Sequence, residues 1–161
     1  MKHKHYFFLS ILLILLDQIS KTLIASKLYM GELFEVTSFL NLTHVHNYGA
    51  EFSLFSNATG WQQYFLPIIS IVASILIVVW MLKVDSNNKL KIGSLSLVLA
   101  GAVGNLIDRV LLGFVIDFVS LHYQNFSFPV FNLADTLLFI GVILLILSDT
   151  KINKKNSNKV N

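Results

Sequence analysis

Six ionisable side chains sit inside or at the ends of long apolar runs in this 161-residue sequence: Asp17, Lys21, Asp108, Arg109, Asp117 and Asp135. Each costs about a few kcal/mol or more in hydrocarbon unless it is paired or wetted, so such groups mark a functional interior or hold a bundle together. Asp17 and Lys21 are four residues apart and share one helix face, which favours a structural ion pair. Gln18, beside them, is placed to bond to a neighbouring helix. Asn105, Asp108 and Arg109 fall at spacings of three and four and share one face, enough for a single polar network. Gly101 and Gly104 precede them at a spacing that lets another backbone approach closely. Asn132 and Asp135 are three apart, after a Pro129 that a first helical turn tolerates. A helix starting at that proline puts Asp135 about 9 Å along its axis, just below one membrane surface. Asp117 follows the third apolar run at the same end.

Two carboxylates brought to one depth from separate elements suit aspartic-protease chemistry. Like charges a few ångströms apart do not both ionise, so one carboxyl stays protonated to polarise a carbonyl while the other takes a proton from water. A proton relay or cation site in a small transporter fits the same spacing, and the residues alone do not separate the two. The partner of Asp135 is Asp108 or Asp117. Asp108 has Arg109 and Asn105 as local partners, which suits a structural role, whereas Asp117 has no basic residue nearby in the chain and is flanked by Ile116 and Phe118.

The elements that must position these groups follow from composition. The chain is 55% hydrophobic and 13% charged with a mean hydropathy of +0.68, too apolar for one soluble core. Four runs approach the roughly 20 apolar residues a spanning helix needs: about Tyr6 to Ala25, Tyr64 to Leu82, Ile92 to Leu112 and Val130 to Leu147. The net charge of +3 comes from basic residues in clusters between those runs, which reads as topology and not as a nucleic-acid footprint. Lys2 and Lys4 precede the first run; Lys83, Lys89 and Lys91 lie between the second and third; Lys151, Lys154, Lys155 and Lys159 follow the fourth. All three clusters are cytoplasmic by the positive-inside rule, which requires an even number of spans. With no cysteine, catalysis falls to oxygen or imidazole groups.

The basic start followed by Tyr6 to Leu16 also resembles a cleavable signal peptide. No small-x-small site follows and the run continues to Ala25, so a retained first helix is expected. The long outer connection alternates around Phe39, Asn41, Thr43 and Val45, which predicts a short strand pair on the membrane surface. Glu51 to Trp61 is expected to rest in the headgroup layer. Residues 1–150 form one domain on this reading, and the Lys- and Asn-rich tail, 151–161, is expected to be disordered.

Five segments, in order along the chain, resemble the motifs of the lipoprotein signal peptidase (signal peptidase II) family. They are Asp17-Gln18-Ile19-Ser20-Lys21, Asn47-Tyr48-Gly49-Ala50-Glu51-Phe52, Gly104-Asn105-Leu106-Ile107-Asp108-Arg109, Val115-Ile116-Asp117-Phe118 and Phe131-Asn132-Leu133-Ala134-Asp135. Any one is weak, while five together on four spans are specific. The resemblance implies an aspartic endopeptidase of the bacterial inner membrane with Asp117 and Asp135 as the catalytic dyad. It implies that Asn47, Gly49, Asn105, Arg109 and Asn132 bind substrate or orient the site, and that Asp17, Lys21 and Asp108 support it. The implied partners are prolipoproteins whose cysteine carries a diacylglyceryl group, cut on its amino side, together with membrane lipid. No metal, organic cofactor or nucleic acid is implied, and a monomer is expected. The planar fork of Arg109 suits a grip on a main-chain carbonyl.

Two positions depart from the family pattern: His46 stands where arginine is usual, and Glu51 where alanine is usual. The extra carboxylate has three readings, namely contact with solvent, pairing with His46 or an altered sequence preference. His3, His5, His44 and His122 lack ligand spacing with acidic partners and read as surface or interfacial residues. The expected fold is an all-α, four-helix membrane bundle with both termini cytoplasmic, a small outer β-element, and the site at the outer leaflet. The rivals are a proton-coupled transporter subunit and a non-catalytic assembly factor. A transporter wants acids continuing toward the inner face, where this chain has Ser94 and Ser96, and an assembly factor has no need of two acids at matching depth.

Overall fold

The computed structural model describes residues 3–49 and 62–157. Its four long helices are α1 (Lys4–Lys27), α2 (Gln62–Lys83), α3 (Lys89–Leu111) and α4 (Leu133–Ser157). Each contains a stretch long and apolar enough to cross a bilayer. α3 is the central helix and packs against the other three, and half of its most apolar window is buried. α2, at 6% buried over its own window, turns its apolar side chains to lipid. At the end of the bundle where α2 leads into α3, Met81, Ile92, Leu95 and Leu99 form a closed apolar cluster, with the Lys91–Asp149 ion pair (2.7 Å) beside it.

Small residues set how closely the helices approach. A side chain at Gly101 would collide with the Ala134 carbonyl of α4, and a Cβ at Gly104 would lie 2.7 Å from Asp17 Oδ2 of α1. These two glycines therefore let α3 touch both neighbours at the depth of the polar residues.

The α1–α2 and α3–α4 connections form more sheet than the alternation around Phe39 to Val45 predicts. Four antiparallel strands run in the order β1 (Leu33–Thr37), β2 (Leu40–Asn47), β3 (Val115–Tyr123) and β4 (Phe126–Ser127). Gly113, at φ +82°, stops α3, with its N–H on the Arg109 carbonyl, and the β-branched run from Val115 then pairs with β2. The register sets Asn47 opposite Val115 and Val45 opposite Asp117. The helix bounds also differ from the apolar runs. α4 begins at Leu133 and not near Pro129, because Phe131 is held in an isolated bridge to Val119. Its helical backbone reaches Ser157, into the tail for which composition suggests disorder. Glu51 to Trp61, together with the motif residues Ala50, Glu51 and Phe52, lies outside the described residues.

Candidate active site

Asp135 is the third residue of α4, not a residue 9 Å along it, and this follows from how the helix starts. Asn132 precedes the first helical residue, and its Oδ1 accepts the Asp135 N–H at 2.9 Å while Asp135 Oδ2 accepts the Asn132 N–H at 3.2 Å. This is a reciprocal capping box built from Asn and Asp. The remaining oxygen, Asp135 Oδ1, accepts Asn105 Nδ2–H at 2.7 Å from α3. Asp135 is thus fixed by its own helix and by α3, yet it stays half-buried.

Asp117 lies in β3, beyond the helix that precedes it in the chain, and is 1% exposed. Its Oδ1 accepts Asn132 Nδ2–H at 2.6 Å, and its Oδ2 accepts Asn47 Nδ2–H at 2.8 Å. Asn132 therefore touches both acids, one through its side-chain amide and the other through both halves of the capping box. Asn47 is oriented by Gly49, whose N–H donates to Asn47 Oδ1 at 2.7 Å from a backbone at φ +85° that favours glycine.

A second set of charges lies behind Asp117 and Asp135. Lys21 Nζ is fully buried, 2.8 Å from Asp17 Oδ2, 3.0 Å from Asp108 Oδ2 and 3.0 Å from Asn105 Oδ1. Gln18 Nε2 donates across to the Gly104 carbonyl and to Asp108 Oδ1 at 2.9 Å, the helix-to-helix bond its position suggests. Asp17 Oδ1 accepts the Ala134 N–H at 2.9 Å, and Asp108 Oδ2 accepts the Ile116 N–H at 3.1 Å. An ion pair stripped of water is favourable only when its remaining hydrogen-bonding capacity is met, and here main-chain amides meet it.

Arg109 is half-buried, with one long contact from Nη1 to the Asn105 carbonyl at 3.5 Å. It lines an open groove of ≈ 380 Å³ between α2 and α3 with Tyr64, Pro67, Ile68, Val110 and Gly113. Most of its donors remain available to a ligand in an otherwise apolar wall.

The ten residues singled out from sequence, Asp17, Lys21, Asn47, Gly49, Asn105, Asp108, Arg109, Asp117, Asn132 and Asp135, all fall in this connected region. Sequence reasoning missed Ala134 and Ile116, which act through backbone N–H groups and leave no side-chain signal. Two histidines correct the surface reading: His3 and His44 are buried, and His44 Nδ1 lies 3.1 Å from the Leu28 carbonyl. Among the described residues no group of three or more His, Cys, Asp or Glu side chains is placed to hold a metal ion.

Comparison with known proteins gives one answer. Residues 9–151 match the family described as Signal peptidase (SPase) II. The lipoprotein signal peptidase of Buchnera aphidicola subsp. Schizaphis graminum is 48% identical over 149 residues, covering 91% of this chain and 96% of that relative. That of Pseudoalteromonas translucida is 45% identical over 141 residues, covering 88% and 85%. A solved bacterial membrane enzyme, 37% identical, superposes with a TM-score of 0.81 over 97% of this chain and 92% of that one. With a match over most of its length and relatives this similar, the chain belongs to the signal peptidase II family.

Proposed function

We propose that this chain is an aspartic endopeptidase that removes signal peptides from prolipoproteins, cutting on the amino side of a cysteine that carries a diacylglyceryl group. The observation that carries the reading is the convergence of Asp117 and Asp135 on Asn132, at the junction of the outer sheet and the helix bundle. In this mechanism the two carboxyls share one proton. The ionised one takes a proton from water, whose oxygen adds to the scissile carbonyl carbon, while the protonated one donates to the carbonyl oxygen. Collapse of the tetrahedral intermediate breaks the C–N bond; a proton passes to the departing cysteine amine, and the signal peptide leaves with a new carboxylate. Arg109 grips a substrate main-chain carbonyl from the groove wall, and lipid-exposed apolar residues beside it suit a substrate that arrives within the membrane.

The lysine clusters support cytoplasmic termini and a dyad at the outer leaflet by the positive-inside rule. One chain supplies both carboxylates, so a monomer suffices. A transporter would need a polar path inward from the dyad. The inner-half hydroxyls of α3 are instead used within their own helix, Ser94 on the Leu90 carbonyl and Ser96 on the Ile92 carbonyl.

The direct test uses the purified chain in detergent with a diacylglyceryl-modified prolipoprotein and its unmodified precursor. Cleavage of the modified form alone is expected. Equal cleavage of both would remove the lipid requirement, and cleavage of neither would remove the peptidase reading.

A further inference from the structure

Strand alternation divides the end of β2 into two faces. Asn47 shares a face with Val115 and Asp117 of β3, while His44, His46 and Tyr48 share the other with Phe114 and Ile116. The second face carries a brace. The imidazole of His46 stacks on Phe114 with ring centroids 3.8 Å apart and planes 16° from parallel. Tyr48 closes on both, 6.4 Å from His46 and 5.4 Å from Phe114.

The edge of the His46 ring is held as well. His44 Nδ1 is 3.1 Å from the Leu28 carbonyl, which can only accept, so that nitrogen carries the hydrogen. Neutral His44 then has a bare Nε2, which accepts the Nε2–H of His46 at 3.1 Å. The chain of bonds runs from the end of α1 through His44 to His46, and the stack carries it onto the first residues after α3. Asn47 is the last residue of β2, immediately next to the braced ring.

We propose that His46 is a positioning residue for the peptidase reaction: its stack on Phe114 and its bond to His44 hold the end of β2 in register, and so hold the Asn47 amide against Asp117. The inference rests on the reading of Asp117 as catalytic. It assigns a role to one of the positions where this chain departs from the family pattern, since arginine, usual there, also stacks on an aromatic face.

The test compares kcat and KM for the full chain, His46→Ala, His46→Phe, Asn47→Ala and the His46→Ala/Asn47→Ala double variant, each with its unfolding midpoint. His46→Ala is expected to lower kcat about tenfold with KM within about twofold, because a misplaced Asn47 disturbs the reacting geometry more than binding. His46→Phe keeps the stack and recovers most of that loss. The double variant turns over no more slowly than Asn47→Ala, because His46 acts through Asn47. The inference is overturned if His46→Ala matches the wild type, if His46→Phe is as impaired as His46→Ala, or if His46→Ala costs the same factor in the Asn47→Ala background. Should His46→Ala fail to accumulate, Phe114→Ala removes the same stack from β3 and takes its place in each comparison. Turnover by Asp117→Asn would overturn the dyad reading itself. A dead Asp117→Asn beside an unaffected His46→Ala would overturn only this inference.

Discussion

Asp17 and Ala134 are 117 residues apart in the chain, yet Asp17 Oδ1 accepts the Ala134 N–H at 2.9 Å. Ala134 directly precedes Asp135. The same device recurs where Asp108 Oδ2 accepts the N–H of Ile116, the residue directly before Asp117. Lys21 bridges the two accepting carboxylates at 2.8 and 3.0 Å. Each supporting acid therefore grips the peptide unit in front of one candidate catalytic acid, and a single buried ammonium sets the distance between the grips.

Breaking this clamp should cost stability before it costs chemistry. Asp17→Ala removes both a partner of Lys21 and a cap on the first turn of α4, and Lys21→Met leaves two buried carboxylates without their cation. Losing one partner of a buried pair costs about 3–5 kcal/mol. Thermal unfolding in detergent should show a clear fall in midpoint for both variants, and unchanged midpoints would mean the buried charges are not coupled to folding.

The amide replacements separate the dyad from its support. Asp117→Asn and Asp135→Asn are expected to lower cleavage by about 10²–10⁴-fold or more while folded yield is largely kept, since shape is retained and proton transfer is lost. Asp108→Asn should keep measurable activity or reduce folded protein, because Asp108 is held by Lys21, Gln18 and the Ile116 N–H. Substantial turnover by Asp117→Asn beside a folded but dead Asp108→Asn would reverse the assignment.

The sequence spacing made the charged helix residues legible because helical periodicity puts Asp17 with Lys21 and Asn105 with Asp108 on single faces. It could not place Asp117, whose position depends on β3 pairing with β2 across 70 residues, a contact with no local signature. The start of α4 differs from the expected one for a related reason. Pro129 permits a helix start, but the bridge from Phe131 to Val119 and the Asn132–Asp135 capping box fix it at Leu133. The Asn-x-x-Asp spacing itself is that of a helix cap.

Asn105 and Arg109 should behave differently from each other. Asn105 is buried and bonded to Lys21, Asp135 and Asn132, so Asn105→Ala is expected to lower both folded yield and activity. Among the described residues Arg109 makes one long hydrogen bond, to the Asn105 carbonyl, so Arg109→Ala should keep the fold and lose activity, and Arg109→Lys should not restore it. Yield by fluorescence-detected chromatography, set against cleavage rate, checks the pair; a collapsed yield for Arg109→Ala would make its role structural.

Topology has its own test. A reporter fused after Asn161 should be active only in the cytoplasm, and one inserted near Asn57 only outside, as an even number of spans with lysine clusters on one side requires. Reporters found on the same side would overturn the four-span arrangement.

Acidification should act on the brace beside the dyad. Burial, together with the neighbouring His44, holds His46 below the ordinary histidine value of 6.5. A histidine with a lowered value in the fold binds fewer protons folded than unfolded, so folding stability rises with pH across that window. The contribution of His46 is therefore complete above 6.5 and is lost as pH falls from there through its folded value. Wild-type protein should lose unfolding midpoint as pH falls below 6.5, and His46→Phe, which keeps the ring but cannot take a proton, should lose less over the same range. The other titrating groups are common to both proteins, so the difference between the two slopes isolates His46. Parallel slopes would show that protonation of His46 is not opposed by the fold.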